Sequence, residues 1–191
     1  MSCRASCTTN SLRRAPLAVV LIVAAAVFVT QAGLLTLPAQ AREQRERNTY
    51  EAGARAYREK NYDLARDLLN NYLRLYQAGP FQVQALFLLG EIAFGQGKFQ
   101  AAYSAYDRLL SARAAGLDLD SSLIRLIQSA VKAKHCAGAL PSLQTKVVSW
   151  PQGGPAAARY WLAECYLQVD NFEQAAAQYQ EVLNRKAKGR L

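Results

Sequence analysis

Apolar residues in this chain follow two superposed rhythms. The short one is helical: Phe81, Ala85, Leu86, Leu88, Leu89, Ile92 and Ala93 stand close to i, i+3, i+4, i+7 spacing, which predicts a helix with an apolar face. Gly95-Gln96-Gly97 interrupts it, because glycine frees the backbone for a tight turn. Phe99, Ala102, Tyr106, Leu109 and Leu110 then carry a second helical run, completing a helix–turn–helix hairpin. The long rhythm repeats that hairpin. Small residues at Gly53, Gly90 and Ala163 are each followed twelve positions on by Ala65, Ala102 and Ala175, and Ile127 with Ala139 fills the same slots in mid-chain. The steps are 37, 37 and 36 residues. A steady period in this range predicts an all-α fold, an α-solenoid of about four stacked hairpins, because one hairpin cannot bury its apolar face alone.

Antiparallel helices close to roughly 8–10 Å where the facing side chains allow it, so small residues should mark the contact. Gly90 is therefore expected opposite Ala102, and Ala163 opposite Ala175. Larger residues should fill the space around it: Tyr62, Phe99, Cys136 and Phe172 open the second helices, and Leu69, Tyr106, Leu143 and Tyr179 follow within them.

These residues resemble the tetratricopeptide repeat, whose pattern reads W-x2-L-G-x2-Y, then A-x3-F, then P. Leu89-Gly90 matches the L-G pair, with Ala52-Gly53 and Leu162-Ala163 as weaker copies. Ala102-x3-Tyr106 and Ala175-x3-Tyr179 match A-x3-F with tyrosine for phenylalanine, while Ala65-x3-Leu69 and Ala139-x3-Leu143 are looser. Tyr166 fills the first-helix tyrosine slot of the fourth unit, Pro151 alone fills the proline slot, and no unit has the opening tryptophan. The match spans about Arg42 to Lys186. It divides the chain into repeats over 42–80, 81–117, a degenerate 118–153, and 154–186, followed by a basic tail over 187–191.

The first 41 residues look like an address. Arg4, Arg13 and Arg14 precede an apolar stretch from Leu17 to Leu37, which closes with Pro38-Ala39-Gln40-Ala41. Basic start, apolar middle and A-x-A end are the anatomy of a secretory signal peptide cleaved after Ala41. A stretch of roughly 20 apolar residues can also span a bilayer, so an uncleaved anchor over residues 17–37 is the alternative. The leader's three arginines and no acids reduce the formal charge of +9 to +6 in a cleaved chain. Of four cysteines, only Cys136 and Cys165 would remain, in an oxidising compartment. Whether they pair cannot be read from spacing.

No catalytic constellation assembles. The single histidine, His135, sits beside Cys136 without a third group to orient a pair, and His135, Cys136 and Cys165 fall short of a zinc site. The glycines at 90, 95 and 97 belong to the hairpin rather than to a phosphate loop. The expectation is a non-enzyme with no cofactor and no metal.

What the resemblance implies instead is a concave groove lined by the first helices. Three places before the small slot stand Tyr50, Phe87, Ile124 and Tyr160; one place after it stand Ala54, Glu91, Gln128 and Glu164. The expected partner-binding groove is Tyr50, Phe87, Glu91, Ile124, Gln128, Tyr160 and Glu164, with Arg47, Arg58, Arg125 and Lys132 flanking it. Large aromatic contacts concentrate binding energy when desolvated. The family's lysine and asparagine clamp for a C-terminal carboxylate is missing at these positions. The leader, the period and units such as Ala85-Leu86-Phe87-Leu88-Leu89-Gly90 look like tetratricopeptide proteins of the bacterial cell envelope, similar to periplasmic ones associated with Tol–Pal or outer-membrane assembly. The expected function is a scaffold there, holding a protein or peptide partner. Two alternatives stay open. One is a structural or oligomerisation module working through its ends, with self-association through Tyr179, Val182 and Leu183. The other is an RNA-binding helical repeat, disfavoured because the positive charges are dispersed and export removes the chain from nucleic acid.

Overall fold

The computed structural model describes residues 39–112 and 118–188, with side chains through residue 186. The chain divides into two compact units, Met1–Arg45 and Glu46–Leu191. Of the first, residues 39–45 are described and are helical, including the expected cleavage site Ala39-Gln40-Ala41; the leader's basic start and apolar stretch, within residues 1–38, lie outside the described residues. Among the described residues no helix is long and apolar enough to cross a membrane.

The second unit contains helix α1 over 46–58, α2 (Tyr62–Leu75), α3 (Gln82–Gly95) and α4 (Phe99–Ser111). Then come α5 (Leu119–Lys132), α6 (Cys136–Ser149), a 3-10 turn (Pro151–Gly153), α7 (Ala156–Leu167) and α8 (Phe172–Lys188). No strand occurs among the described residues. The helices pair as α1–α2, α3–α4, α5–α6 and α7–α8, the four expected hairpins.

Each hairpin turns on the same backbone device. Lys60 (φ 61°), Gly97 (φ 73°), Lys134 (φ 53°) and Asp170 (φ 57°) are left-handed, and each lies seven residues after its small slot. The next residue's N–H reaches back to a carbonyl in the last turn of the first helix: Asn61 to Ala56 (2.9 Å), Lys98 to Ala93 (2.8 Å), His135 to Ala130 (2.9 Å) and Asn171 to Tyr166 (3.0 Å). This is the six-to-one bond of a Schellman cap, which satisfies carbonyls the ended helix leaves open. The degenerate third unit keeps it, so the turn is retained where side-chain packing has drifted. Asn61 and Asn171 add side-chain caps to the N–H groups of Leu64 and Gln174.

The four in-phase alanines, Ala65, Ala102, Ala139 and Ala175, are all buried. The glycine contact differs from expectation. A Cβ placed on Gly90 would lie 2.7 Å from Cζ of Tyr106, and one on Gly53 would lie 2.8 Å from Cγ of Leu69. Gly90 thus makes room for a fully buried aromatic ring rather than for Ala102, whose own role is to let the second helix approach. Two apolar clusters result. One gathers Ala65, Leu69, Tyr72, Leu86 and Leu109; the other runs from Ala93 through Leu126, Leu143 and Leu162 to Ala175, and Phe87 and Leu110 pack against both.

The third hairpin is assembled differently. Helix α5 packs more closely on α4 and α7 than on its own partner α6. Helix α6 contains Gly138 and an internal Pro141, and an interior proline removes a hydrogen bond and crowds the preceding turn at a cost of about 3 kcal/mol. Other ties hold α6 in place. Cys136 and Cys165 are disulfide-bonded, with Cα atoms 5.3 Å apart, joining α6 to α7. Lys146 Nζ pairs with Asp107 of α4 at 3.3 Å, and Trp150 Nε1 donates to Asp120 of α5 at 2.6 Å. In the chain-entropy picture a crosslink over this separation of 29 residues stabilises by about 3–4 kcal/mol.

Arg185 donates to the carbonyls of Gln152 and Gly154 and pins the turn before α7. Residues 187 and 188 of the basic tail continue α8; residues 189–191 lie outside the described residues.

The repeated turn makes a direct prediction. A Cβ on Gly97 meets nothing within 4 Å, so Gly97→Ala should lose stability through backbone strain alone, by about 1 kcal/mol. Lys134→Gly should gain about 0.5–1 kcal/mol by relieving the same strain. Urea unfolding of the two variants, run beside the wild type, checks the opposite signs.

Candidate functional site

The first helices carry the expected groove residues, and the structure assigns them different degrees of freedom. Tyr50 on α1 stacks flat on Phe81, centroids 4.7 Å apart and 4° between planes, and meets the edge of Tyr72 at 5.9 Å. Burial raises its phenol above the ordinary value, with Arg58 opposing. It thus binds the first repeat to the second while showing part of its ring. Phe87 on α3 and Ile124 on α5 are likewise half-buried against the apolar clusters. Tyr160 on α7 is 43% exposed, edge-on to Trp161 at 5.4 Å and tilted over Tyr179 at 5.8 Å.

The second row is wired into the hairpins. Tyr106 donates its hydroxyl to Glu91 Oε1, and Tyr179 donates to Glu164 Oε1, each across fifteen residues. The same spacing in the other units joins Ala54 with Leu69 and Gln128 with Leu143. Tyrosine and glutamate therefore occur together, and leucine occurs with a residue that needs no phenol. Sequence reasoning took Glu91 and Glu164 as acids edging a groove; their fifteen-residue coupling to the tyrosines was legible in the chain and was missed.

Glu91 has further partners. Arg125 Nε stands 3.6 Å from Glu91 Oε1, its guanidinium lies 4.3 Å from the Phe94 ring centroid, and its Nη1 donates to Gln128 Oε1 at 3.3 Å. Glu91, Arg125 and Gln128 are thus brought together across the boundary between second and third repeats. Tyr160, Glu164 and Tyr179 form a separate group on the fourth.

Two clefts adjoin these rows. One, of about 230 Å³, lies between Tyr57, Tyr62, Glu91, Ile92 and Gln96. Its Tyr57–Tyr62 pair, edge-to-face at 5.8 Å, was not among the expected site residues. The other, also about 230 Å³, runs between α2 and α4 over a floor of Leu86, Leu89 and Ile92, with Arg66, Lys98 and Arg108 at its rim. Helix α3 is apolar on nearly every side, which was its signal for serving two faces at once.

A family model described as Tetratricopeptide repeat matches residues 50–117 and 124–190. The chain belongs to the tetratricopeptide repeat family. Among solved structures, it is similar to a protein titled "MamA RS-1 ArsTM double mutant", with 15% identity, a TM-score of 0.58, and coverage of 81% of this chain and 83% of that one. It is also similar to "MamA 41-end from Desulfovibrio magneticus RS-1", with 14% identity, a TM-score of 0.56, and coverage of 75% and 76%. At such identities the likeness speaks to the solenoid fold alone. A comparison with curated proteins by sequence finds no match.

The buried phenols couple this tetratricopeptide solenoid to pH. Burial, then the Glu91 hydrogen bond, raises Tyr106; burial, then Glu164, raises Tyr179. Burial pushes Tyr72 up to about 12, against the Phe81 N–H that its oxygen accepts. A phenol raised in the folded state gives stability that is fully present below its unfolded value of about 10 and is lost as pH climbs toward the folded value. Urea midpoints should therefore fall between pH 10 and 12. Tyr106→Phe should cost about 1–2 kcal/mol at pH 7 and flatten that alkaline fall; an unchanged slope would show that Tyr106 does not contribute to it.

Proposed function

We propose that the protein is a non-catalytic scaffold that holds a protein or peptide partner along its first-helix face. The observation that carries this reading is the composition of that face. Half-exposed rings at Tyr50, Phe87 and Tyr160 alternate with polar groups: Glu91, Arg125 and Glu164, each bonded to a neighbouring helix, and Gln128, which accepts from Arg125 of its own helix. Pre-organised aromatic and charged groups lose little entropy on binding. Membership of the tetratricopeptide family supports protein binding as the class of activity, since such solenoids bind through extended faces.

The site of action we propose is the bacterial cell envelope, with the chain exported and cleaved after Ala41, or held at the inner membrane by residues 17–37. The leader's basic, apolar and A-x-A segments support export. The Cys136–Cys165 disulfide supports an oxidising compartment, where such bonds persist. A role beside Tol–Pal or outer-membrane assembly is the reading this location favours.

A crosslinked pull-down from envelope fractions tests it. The wild type is compared with a Tyr50→Leu, Phe87→Leu, Tyr160→Ala variant, which keeps apolar bulk where the first two rings pack on the core, at matched helical content by circular dichroism. The proposal expects a partner that the wild type captures and the variant loses at least tenfold. A partner held equally by both would move the binding surface away from the first-helix face.

A further inference from the structure

The internal repeat shows what covers the outward face of a unit, because the face that the second unit presents is already covered by α5. Helix α5 packs closely on α4 and brings two cations with it. Arg125 pairs with Glu91 at 3.6 Å and lies over Phe94 at 4.3 Å. Lys132, seven residues on, lies 5.3 Å from the centroid of Phe99. The face of an aromatic ring attracts a cation held at such a distance. Below them Leu109 is fully buried and Leu110 half-buried.

The fourth unit carries the same set 73 positions later: Glu164, Leu167 and Phe172, then Val182 and Leu183. There the set is open. Leu167 is 38% exposed, Phe172 64% and Leu183 59%. Glu164 accepts the Tyr179 hydroxyl, as Glu91 accepts that of Tyr106, and among the described residues no cation stands where Arg125 stands against Glu91. The acceptor, the exposed ring and the apolar strip are the imprint of a helix like α5.

We propose that this face of α7 and α8 docks an amphipathic helix of another protein, one with a leucine-rich stripe and basic residues seven positions apart. The first base pairs with Glu164 and the second lies on the Phe172 ring, while the stripe covers Val182 and Leu183. A second copy of this chain is a poor occupant. Stacked head to tail it would offer α1, whose residue at the Arg125 position is Glu51, setting two carboxylates together where the second unit has an ion pair. Like charges so placed repel.

The test uses the α5 sequence as a probe. A fluorescein-labelled peptide of residues 118–135 is titrated into the full chain by fluorescence anisotropy. The expected result is saturable binding that Leu183→Asp weakens at least tenfold and that Tyr50→Leu leaves unchanged, separating this surface from the first-helix groove. A peptide with Arg125→Glu should bind about tenfold more weakly, roughly 1.4 kcal/mol, and Glu164→Lys in the protein should restore its binding. Such a charge swap cannot be mimicked by a variant that merely unfolds. No binding by the wild type, equal binding by Leu183→Asp, or failure of the swap overturns the proposal. A dimer of the chain that Leu183→Asp abolishes also overturns it, because a second copy would then own the face.

Discussion

In the first two hairpins a large side chain of the second helix enters a notch that the first helix leaves by having no side chain there. Leu69 enters at Gly53 and Tyr106 at Gly90. The contact fixes how closely the helices approach and where each is rotated about its axis. Everything else in the second hairpin follows from that rotation. It sets Ala102 into the interface and carries the Tyr106 hydroxyl to Glu91, which also meets Arg125 of the next unit. Van der Waals fit of this kind is unforgiving, because protein interiors are packed as densely as organic crystals.

The third hairpin shows what happens when the notch is filled. Ile127 occupies the small slot and is fully buried, and Pro141 interrupts α6. The two helices no longer grip each other well, and α5 turns its packing toward α4 and α7. Helix α6 is tied down by a disulfide, an ion pair and an indole hydrogen bond, each reaching a different neighbour. Non-local ties thus replace the local packing lost. The left-handed turn at Lys134, with its bond from His135 N–H to the Ala130 carbonyl, is the same as in the other hairpins.

Much of this was legible because repetition averages out local ambiguity. A single apolar run such as Gln82–Gly95 could be read several ways, but four copies in phase give the period, the hairpin and the turn. The seven-residue offset from small slot to left-handed residue was equally present in the chain. It was obscured because only Gly97 of the four is a glycine, while Lys60, Lys134 and Asp170 do not advertise positive φ. The groove was harder to read. Polarity marked Glu91 and Glu164 as groove residues without the further fact that each accepts from a tyrosine fifteen residues on, a coupling that comparison of equivalent positions between repeats brings out. The bond between Cys136 and Cys165 and the grip of Arg185 on the turn at Gln152–Gly154 depend on how units stack, which spacing does not encode. A site on a solenoid is therefore read best by comparing equivalent positions between repeats. Departures from equivalence stand out in that comparison, as where Arg125 meets Glu91 while no cation meets Glu164 among the described residues.

The notch itself can be tested within one helix. Gly90 and Gly95 both lie in α3, and alanine is favoured over glycine in a helix by about 1 kcal/mol. A Cβ on Gly95 meets nothing within 4 Å, whereas one on Gly90 would lie 2.7 Å from the buried ring of Tyr106. Denaturant unfolding of Gly90→Ala and Gly95→Ala should move in opposite directions. Gly95→Ala should gain about 0.5–1 kcal/mol, and Gly90→Ala should lose about 1–3 kcal/mol to overpacking. If both variants are stabilised alike, the glycine notch does not set the geometry of the hairpin.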